Sequence, residues 1–231
     1  RMLGEVEIAR QHGADLVVFS ELSVCGYPPR DFLEFEDFIL EAESTVAEIA
    51  KYSQDIGILV GAPTRNPQRE GKDLFNSAIL LYEGKVQGVA HKTLLPNYDV
   101  FDEYRYFEPA YNWNIIPFKG KKIAVTICED IWNLGDNPLY RVCPMDELMK
   151  QSPDLMINIS ASPFDISGGT NLFNVTLNVS FLEGGKKYYY KVVAINSTGT
   201  TNSTVTTFDT PVAPGLAPVV TTNQSPFTKA Q

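Results

Sequence analysis

Histidine is almost absent from this sequence: 231 residues carry only His12 and His91, beside three cysteines, Cys25, Cys128 and Cys143. An odd and widely spaced set of cysteines makes no disulfide framework, and two distant histidines do not complete a zinc ligand set, so a reducing compartment is expected. No run of about 18 uncharged apolar residues occurs, which leaves no candidate membrane span. The chain opens on Arg1-Met2-Leu3-Gly4-Glu5 rather than on a basic stretch leading into an apolar core, so no signal peptide is read. Basic residues are also few, 19 against 28 acidic, for a net charge of -9 and a pI near 4.8. That balance argues against nucleic acid and against an anionic membrane surface, both of which need clustered Lys and Arg. What is present is apolar and aromatic: 44% hydrophobic residues, 11% of the chain being Phe, Trp or Tyr, enough for a substantial core in one large domain or one medium and one small.

Charge is unevenly distributed. Residues 1–165 carry 15 basic and 26 acidic side chains, whereas 166–231 carry 4 and 2 and lack Cys, Trp, His and Met altogether. Two differently composed pieces are therefore expected, 1–165 and 172–210, joined through 166–171 and followed by a Pro- and Thr-rich tail over 211–231. In the first piece, apolar spacing predicts helices over Leu3 to His12, Asp37 to Tyr52 and Pro144 to Gln151. Strands are predicted over Asp15 to Ser20, Ile56 to Ala62, Ser77 to Tyr82, Val86 to His91, Lys121 to Ile127 and Asp154 to Ile159, with Glu83-Gly84 turning a hairpin. Strands apolar on both faces, alternating with helices, imply an α/β arrangement with the sheet covered. In the second piece, period-2 strands over Leu172 to Ser180, Lys187 to Asn196 and Ser203 to Thr210 imply an antiparallel all-β segment. The tail has too little to bury to order itself alone.

Three polar residues follow apolar strands directly, the place where open α/β sheets build sites: Glu21, Lys92 and Cys128. A cysteine attacks as thiolate; a carboxylate can take its proton, and an ammonium can stabilise both thiolate and oxyanion. Neither histidine lies near a cysteine in sequence, which disfavours a Cys-His pair and favours Glu-Lys. The plain alternative is a buried Cys acting as a small hydrophobe, with Glu and Lys capping strand ends.

The residues around these positions carry a resemblance. Phe19-Ser-Glu21 with Tyr27-Pro-Pro, Lys92-Thr-Leu-Leu-Pro-Asn-Tyr98-Asp-Val-Phe101-Asp-Glu103, and Ile127-Cys128-Glu129-Asp130-Ile-Trp132 resemble, in order, the three catalytic segments of the carbon-nitrogen hydrolase (nitrilase) superfamily. More narrowly they are similar to the glutamine-hydrolysing domains of bacterial glutamine-dependent NAD synthetases, over roughly residues 1–165. The resemblance implies an α-β-β-α sandwich and hydrolysis of the glutamine amide. Glu21 would be the base, Cys128 the nucleophile and Lys92 the cation that steadies the oxyanion, with Glu103 as a supporting carboxylate. Tyr27, Tyr98, Phe101, Glu129 and Trp132 would line the glutamine pocket, and Ser162 would meet the α-amino-acid end. No cofactor is expected for the hydrolase part; ATP and Mg would belong to a synthetase domain or subunit, to which ammonia would pass. Family membership further implies a homo-oligomer in the cytoplasm.

The sequence also departs from the family pattern. It begins inside the first helix, and residues 165–170 lack the basic side chain expected to receive the substrate carboxylate after Ser162. A sandwich incomplete at both ends and weakened glutamine hydrolysis are the expectations. Leu182-Glu-Gly-Gly-Lys-Lys-Tyr188 and the strands after it resemble the later half of a fibronectin type III repeat, Tyr188 standing at the tyrosine corner. A secreted binding or structural module carrying a hydrolase remnant, an artificial join of two sequences, and an amidase of the same superfamily with another substrate are the competing readings. The fibronectin-like segment alone would argue for an extracellular setting.

Overall fold

A computed structural model describes residues 1–161 except 69, 99–100 and 134–139, and beyond them the backbone of the short strands named below. The chain divides into two compact units, Arg1–Ala161 and Ser162–Gln231.

The first unit opens with α1 (Met2–Gln11), followed by β1 (Leu16–Val18), a 3-10 turn over Arg30–Glu34, and α2 (Glu36–Ala50). Next come β2 (Gly57–Arg65), β3 (Leu74–Tyr82), β4 (Lys85–His91) and the single turn α3 (Glu103–Tyr106). β5 (Ile116–Phe118), β6 (Lys121–Ile127), a 3-10 turn over Cys128–Ile131, α4 (Pro144–Met149) and β7 (Leu155–Ile159) complete it. Two mixed sheets result. One is ordered β1-β2-β3-β4 with only β1 and β2 parallel; the other is β5-β6-β7 with only β6 and β7 parallel.

The double-sided apolarity of β2 and β3 now has its cause. Ile58, Val60, Ala62, Ile79 and Leu81 pack against Val6, Val46, Ile49 and Ala50 of the two helices. The alternate residues Leu59, Ala78 and Leu80 pack against Ile116, Phe118, Ile123, Val125, Ile127 and Ile159 of the second sheet. Successive side chains point to opposite faces, so a sheet with a helix layer on one side and another sheet on the other must be apolar at every position. α4 packs against β6 and the turn that follows it. Two sheets share the inner core, where alternation by itself implied one sheet covered by helices.

Individual boundaries differ for physical reasons. The hairpin turn holds, with Glu83 at φ 54 and Gly84 at φ 74, the paired left-handed geometry of a tight two-residue turn. β2 runs past Pro63 because β1 pairs it only from Gly57 to Leu59, so the proline lies where one side of the strand has no ladder to break. β1 stops at Val18 rather than Ser20. Residues 21–25 form turns packed on β2, and Gly61 makes that possible: a Cβ there would sit 2.3 Å from the Leu22 nitrogen and 2.6 Å from the Ser20 oxygen. α4 ends at Met149, short of Gln151, and β5 went unread because Ile116-Pro-Phe118 is only three residues long.

In the second unit, β9 (Lys187–Tyr190) pairs antiparallel with β12 (Thr206–Asp209), and β10 (Val193–Asn196) with β11 (Gly199–Asn202). β8 (Thr176–Asn178) pairs antiparallel with β13 (Val219–Thr221). That last pair places Val219–Thr221 of the tail on a ladder supplied by another strand.

Candidate active site

Strand ends converge in the first unit on one buried ionic cluster. Lys92, the residue after β4, is fully buried, and its Nζ donates to Glu21 Oε1 at 2.7 Å and to Glu103 Oε1 and Oε2 at 2.9 and 2.8 Å. Glu21 is 1% exposed and Glu103 is buried at the first position of α3. Glu21 Oε2 accepts the Ala161 N–H at 3.0 Å, and Tyr27 donates its hydroxyl to Glu103 Oε1 at 2.8 Å. Burial alone would drive the proton off Lys92, but the two carboxylates outweigh it and raise its pKa. Burial, opposed by Lys92, raises that of Glu103.

Cys128 lies buried at the end of β6 with φ 47, a left-handed conformation that a side chain adopts at a cost and that the surrounding structure must hold. Several bonds hold it. Asp130 is buried and accepts the N–H groups of Ile127 at 3.1 Å, Thr93 at 3.0 Å and Leu94 at 2.8 Å, so one carboxylate ties the chain just before Cys128 to the chain just after Lys92. Asn158 of β7 donates to the Cys128 carbonyl at 3.3 Å. Burial pushes the Cys128 thiol up to about 11; the Lys92 charge works against that, while Glu21 adds to it more strongly than Glu103 does. The resting group is therefore the thiol. Burial likewise pushes Asp130 up to about 6, its three N–H donors opposing the shift.

A third group follows. Glu129 is buried and accepts hydroxyl protons from Tyr98 and Tyr140, and no salt bridge reaches it among the described residues. Burial first, then the Glu129 carboxylate, raises both phenol pKa values, so both remain donors. Tyr98 packs edge-on against Phe101 at 5.5 Å between centroids, and Phe101 lies 6.3 Å from Tyr27. Trp132 is half exposed.

Glu21, Lys92, Glu103, Tyr27 and, through charge, Cys128 are thus brought into one cluster, with Glu129, Tyr98 and Phe101 contiguous; Ser162 lies outside the described residues. Sequence reasoning missed Asn76, Asp130 and Tyr140. Asn76 and Ser77 break the otherwise apolar β3, which was a readable signal; Asp130 was visible beside Cys128 but its partners were not. Tyr140 gives no signal in the sequence. Among the described residues no group of three or more His, Cys, Asp and Glu could hold a metal ion, and no helix is long and apolar enough to cross a membrane.

The chain is 41% identical over 186 residues to a glutamine-dependent NAD(+) synthetase of Synechocystis sp., an alignment covering 73% of this chain and 33% of that protein. It is 35% identical over 161 residues to that of Thermotoga maritima, covering 70% and 26%. The structure of the glutamine-dependent NAD+ synthetase from Acinetobacter baumannii in complex with ADP superposes with a TM-score of 0.62 at 31% identity, over 72% of this chain and 29% of that one. The chain thus spans about a third or less of the length of these relatives. A carbon-nitrogen hydrolase from Helicobacter pylori shares the fold, with a TM-score of 0.55 at 21% identity over 73% of this chain and 56% of that one. The first unit is accordingly α/β and nitrilase-like with mixed sheets. The profile of the carbon-nitrogen hydrolase family itself matches residues 2–135, more than half of the sequence, and this chain belongs to that family.

Proposed function

We infer that the first unit hydrolyses the side-chain amide of glutamine through a Cys128 thioester, as the ammonia-releasing part of NAD synthesis. The observation that carries this is the buried Glu21-Lys92-Glu103 cluster, charge-coupled to a thiol at a left-handed strand end. Cys128 Sγ attacks the amide carbon as its proton passes to Glu21. The resulting oxyanion is stabilised by the charge of Lys92 and by the backbone N–H of Glu129, at the start of a 3-10 turn whose first amides have no partner within the turn. Collapse breaks the C–N bond, the nitrogen takes the proton from Glu21, and ammonia leaves a thioester. Water then attacks, losing a proton to Glu21, and the acid departs with Cys128 restored to a thiol. Among the described residues all three Nζ contacts of Lys92 are to carboxylates, so it acts through its charge and by holding both of them.

Glutamine fits because Glu129 is a buried carboxylate with only neutral donors among the described residues, which suits the α-ammonium of an amino acid. The similarity to glutamine-dependent NAD synthetases supports passage of the ammonia to a synthetase domain or subunit, which would bind ATP and Mg; a cytoplasmic homo-oligomer belongs to the same proposal. The fibronectin-type reading of the second unit rests on the Leu182 to Tyr188 pattern alone; the antiparallel pairing of Lys187–Tyr190 with Thr206–Asp209 is compatible with it and with any other antiparallel β arrangement. Ammonia release from glutamine, set against a short aliphatic amide such as propionamide, tests the assignment. Glutamine should be preferred in kcat/KM, and equal use of both amides would refute the role given to Glu129.

A further inference from the structure

Asn76 stands at the centre of the cluster and belongs to none of the three motif segments. It lies on β3 with 1% exposure. Its main-chain oxygen accepts the Lys92 N–H at 2.8 Å, fixing the end of β4 on β3. Its side-chain Nδ2 donates to Glu21 Oε1 at 2.8 Å and to Glu103 Oε2 at 3.4 Å. One residue thus contacts all three members of the ionic cluster. Its Oδ1 is buried with no hydrogen-bond partner among the described residues. The opposite amide orientation would set that oxygen against two carboxylates, so the partners themselves fix which end faces them.

An unsatisfied buried oxygen is unfavourable, and an apolar side chain of similar shape would avoid it. What an apolar side chain cannot do is supply a neutral donor between two carboxylates that share a single cation. Such a donor orients the carboxylate: together with Lys92 it gives Oε1 two donors, leaving Oε2, which among the described residues accepts the Ala161 N–H alone, as the less saturated oxygen for the thiol proton.

We propose that Asn76 is a positioning residue that keeps Glu21 turned so that Oε2 receives the Cys128 proton. The inference rests on the assignment of Glu21 as base, and the test separates the two. The groups facing Glu21 are Lys92 after β4, Glu103 on α3, Cys128 after β6 and, through Glu103, Tyr27. The full chain and its Asn76→Leu and Asn76→Ser variants are alkylated with iodoacetamide across pH in a Cys25→Ser, Cys143→Ser background, so the rate reports Cys128 whatever amide is the substrate. In the parent, the rate should fall on the acid side as the base is lost. In Asn76→Leu the rate above that limb should drop about tenfold, because the carboxylate is no longer held with Oε2 turned to the thiol. Glutamine turnover should fall on the order of a hundredfold in kcat with little change in KM. Absence of an acid limb in the parent would sink the assignment of Glu21. A limb present in the parent, with the rate above it unchanged in both variants, would overturn the role of Asn76 alone. If neither variant melts cooperatively, Asn76 serves the fold rather than the base, and the inference is overturned as well.

Discussion

Replacing Glu21 with Gln changes one atom's chemistry and leaves the volume of the site unchanged. The amide oxygen can take the place of Oε1 and keep Lys92 at 2.7 Å and Asn76 at 2.8 Å. Its NH2 group then faces the Ala161 N–H, where Oε2 now accepts at 3.0 Å, and two donors meet. Leaving that buried pair unmatched costs about 1–3 kcal/mol, which lowers the melting temperature without abolishing the fold. The chemical effect is larger, because general base catalysis typically contributes about 10²–10⁴ in rate. Glu103 does not substitute: its carboxylate is held bidentate by Lys92 and acts on Cys128 more weakly than Glu21 does. Glutamine turnover, followed as ammonia release, should therefore fall by about 10²–10⁴. The thiol should move the other way. The Glu21 charge contributes to holding the Cys128 pKa at about 11, so its removal should lower that pKa, read from thiolate ultraviolet absorbance in a background lacking the other two cysteines. Fewer turnovers with an easier thiol to ionise is the signature of a lost base. Turnover within tenfold of the parent, or a thiol pKa unchanged beside a lost activity, would refute the reasoning.

Gly61→Ala should disable the site from a distance, because its Cβ would fall 2.3 Å and 2.6 Å from backbone atoms of Leu22 and Ser20. About 1–3 kcal/mol of lost stability by urea unfolding should accompany loss of turnover, and a fully active variant would count against the close approach. Asp130 should make the fold pH-dependent: between the unfolded value of about 4 and its buried value of about 6, the folded state holds a proton that the unfolded state has lost. Stability then falls as pH rises through that window, by about 3 kcal/mol in all. Asp130→Asn should remove that slope, and parallel stability curves for the two proteins would contradict the burial argument. A diazo ketone analogue of glutamine should label Cys128 and spare Cys25 and Cys143, as mapped by peptide mass spectrometry. Equal labelling of all three in the native state would remove the nucleophile assignment.

The strand-end positions of Glu21, Lys92 and Cys128 were legible because apolar runs mark strands and polar residues mark where they stop. That the three ends meet was not legible, since it depends on Asp130 joining the chain after Lys92 to the chain before Cys128, a contact across 36 and 37 positions. Layering was half legible. The unbroken apolarity of Ile58 to Ala62 shows that both faces are covered, yet a helix and a second sheet demand the same residues there. Asn76 was readable as a polar interruption of a strand, though not what it would meet, and Tyr140 was out of reach because it needs a fold to bring it to Glu129.

The arrangement answers a difficulty that its own burial creates. A thiol with a pKa of about 11 is ionised in roughly one molecule in ten thousand at pH 7, and solvent deprotonation would place a new charge in a dry site. Transfer to Glu21 avoids that. Two carboxylates and one ammonium carry one excess negative charge before transfer, and thiolate, Glu103 and Lys92 carry one afterwards, so the charge moves without being created. The second carboxylate then has a distinct purpose. Once Glu21 is neutral it holds Lys92 only weakly, and a lysine with no other partner would lose its position at the moment when the thiolate needs it. Glu103, gripping Nζ through both oxygens at 2.9 and 2.8 Å, keeps the cation in place across the transfer.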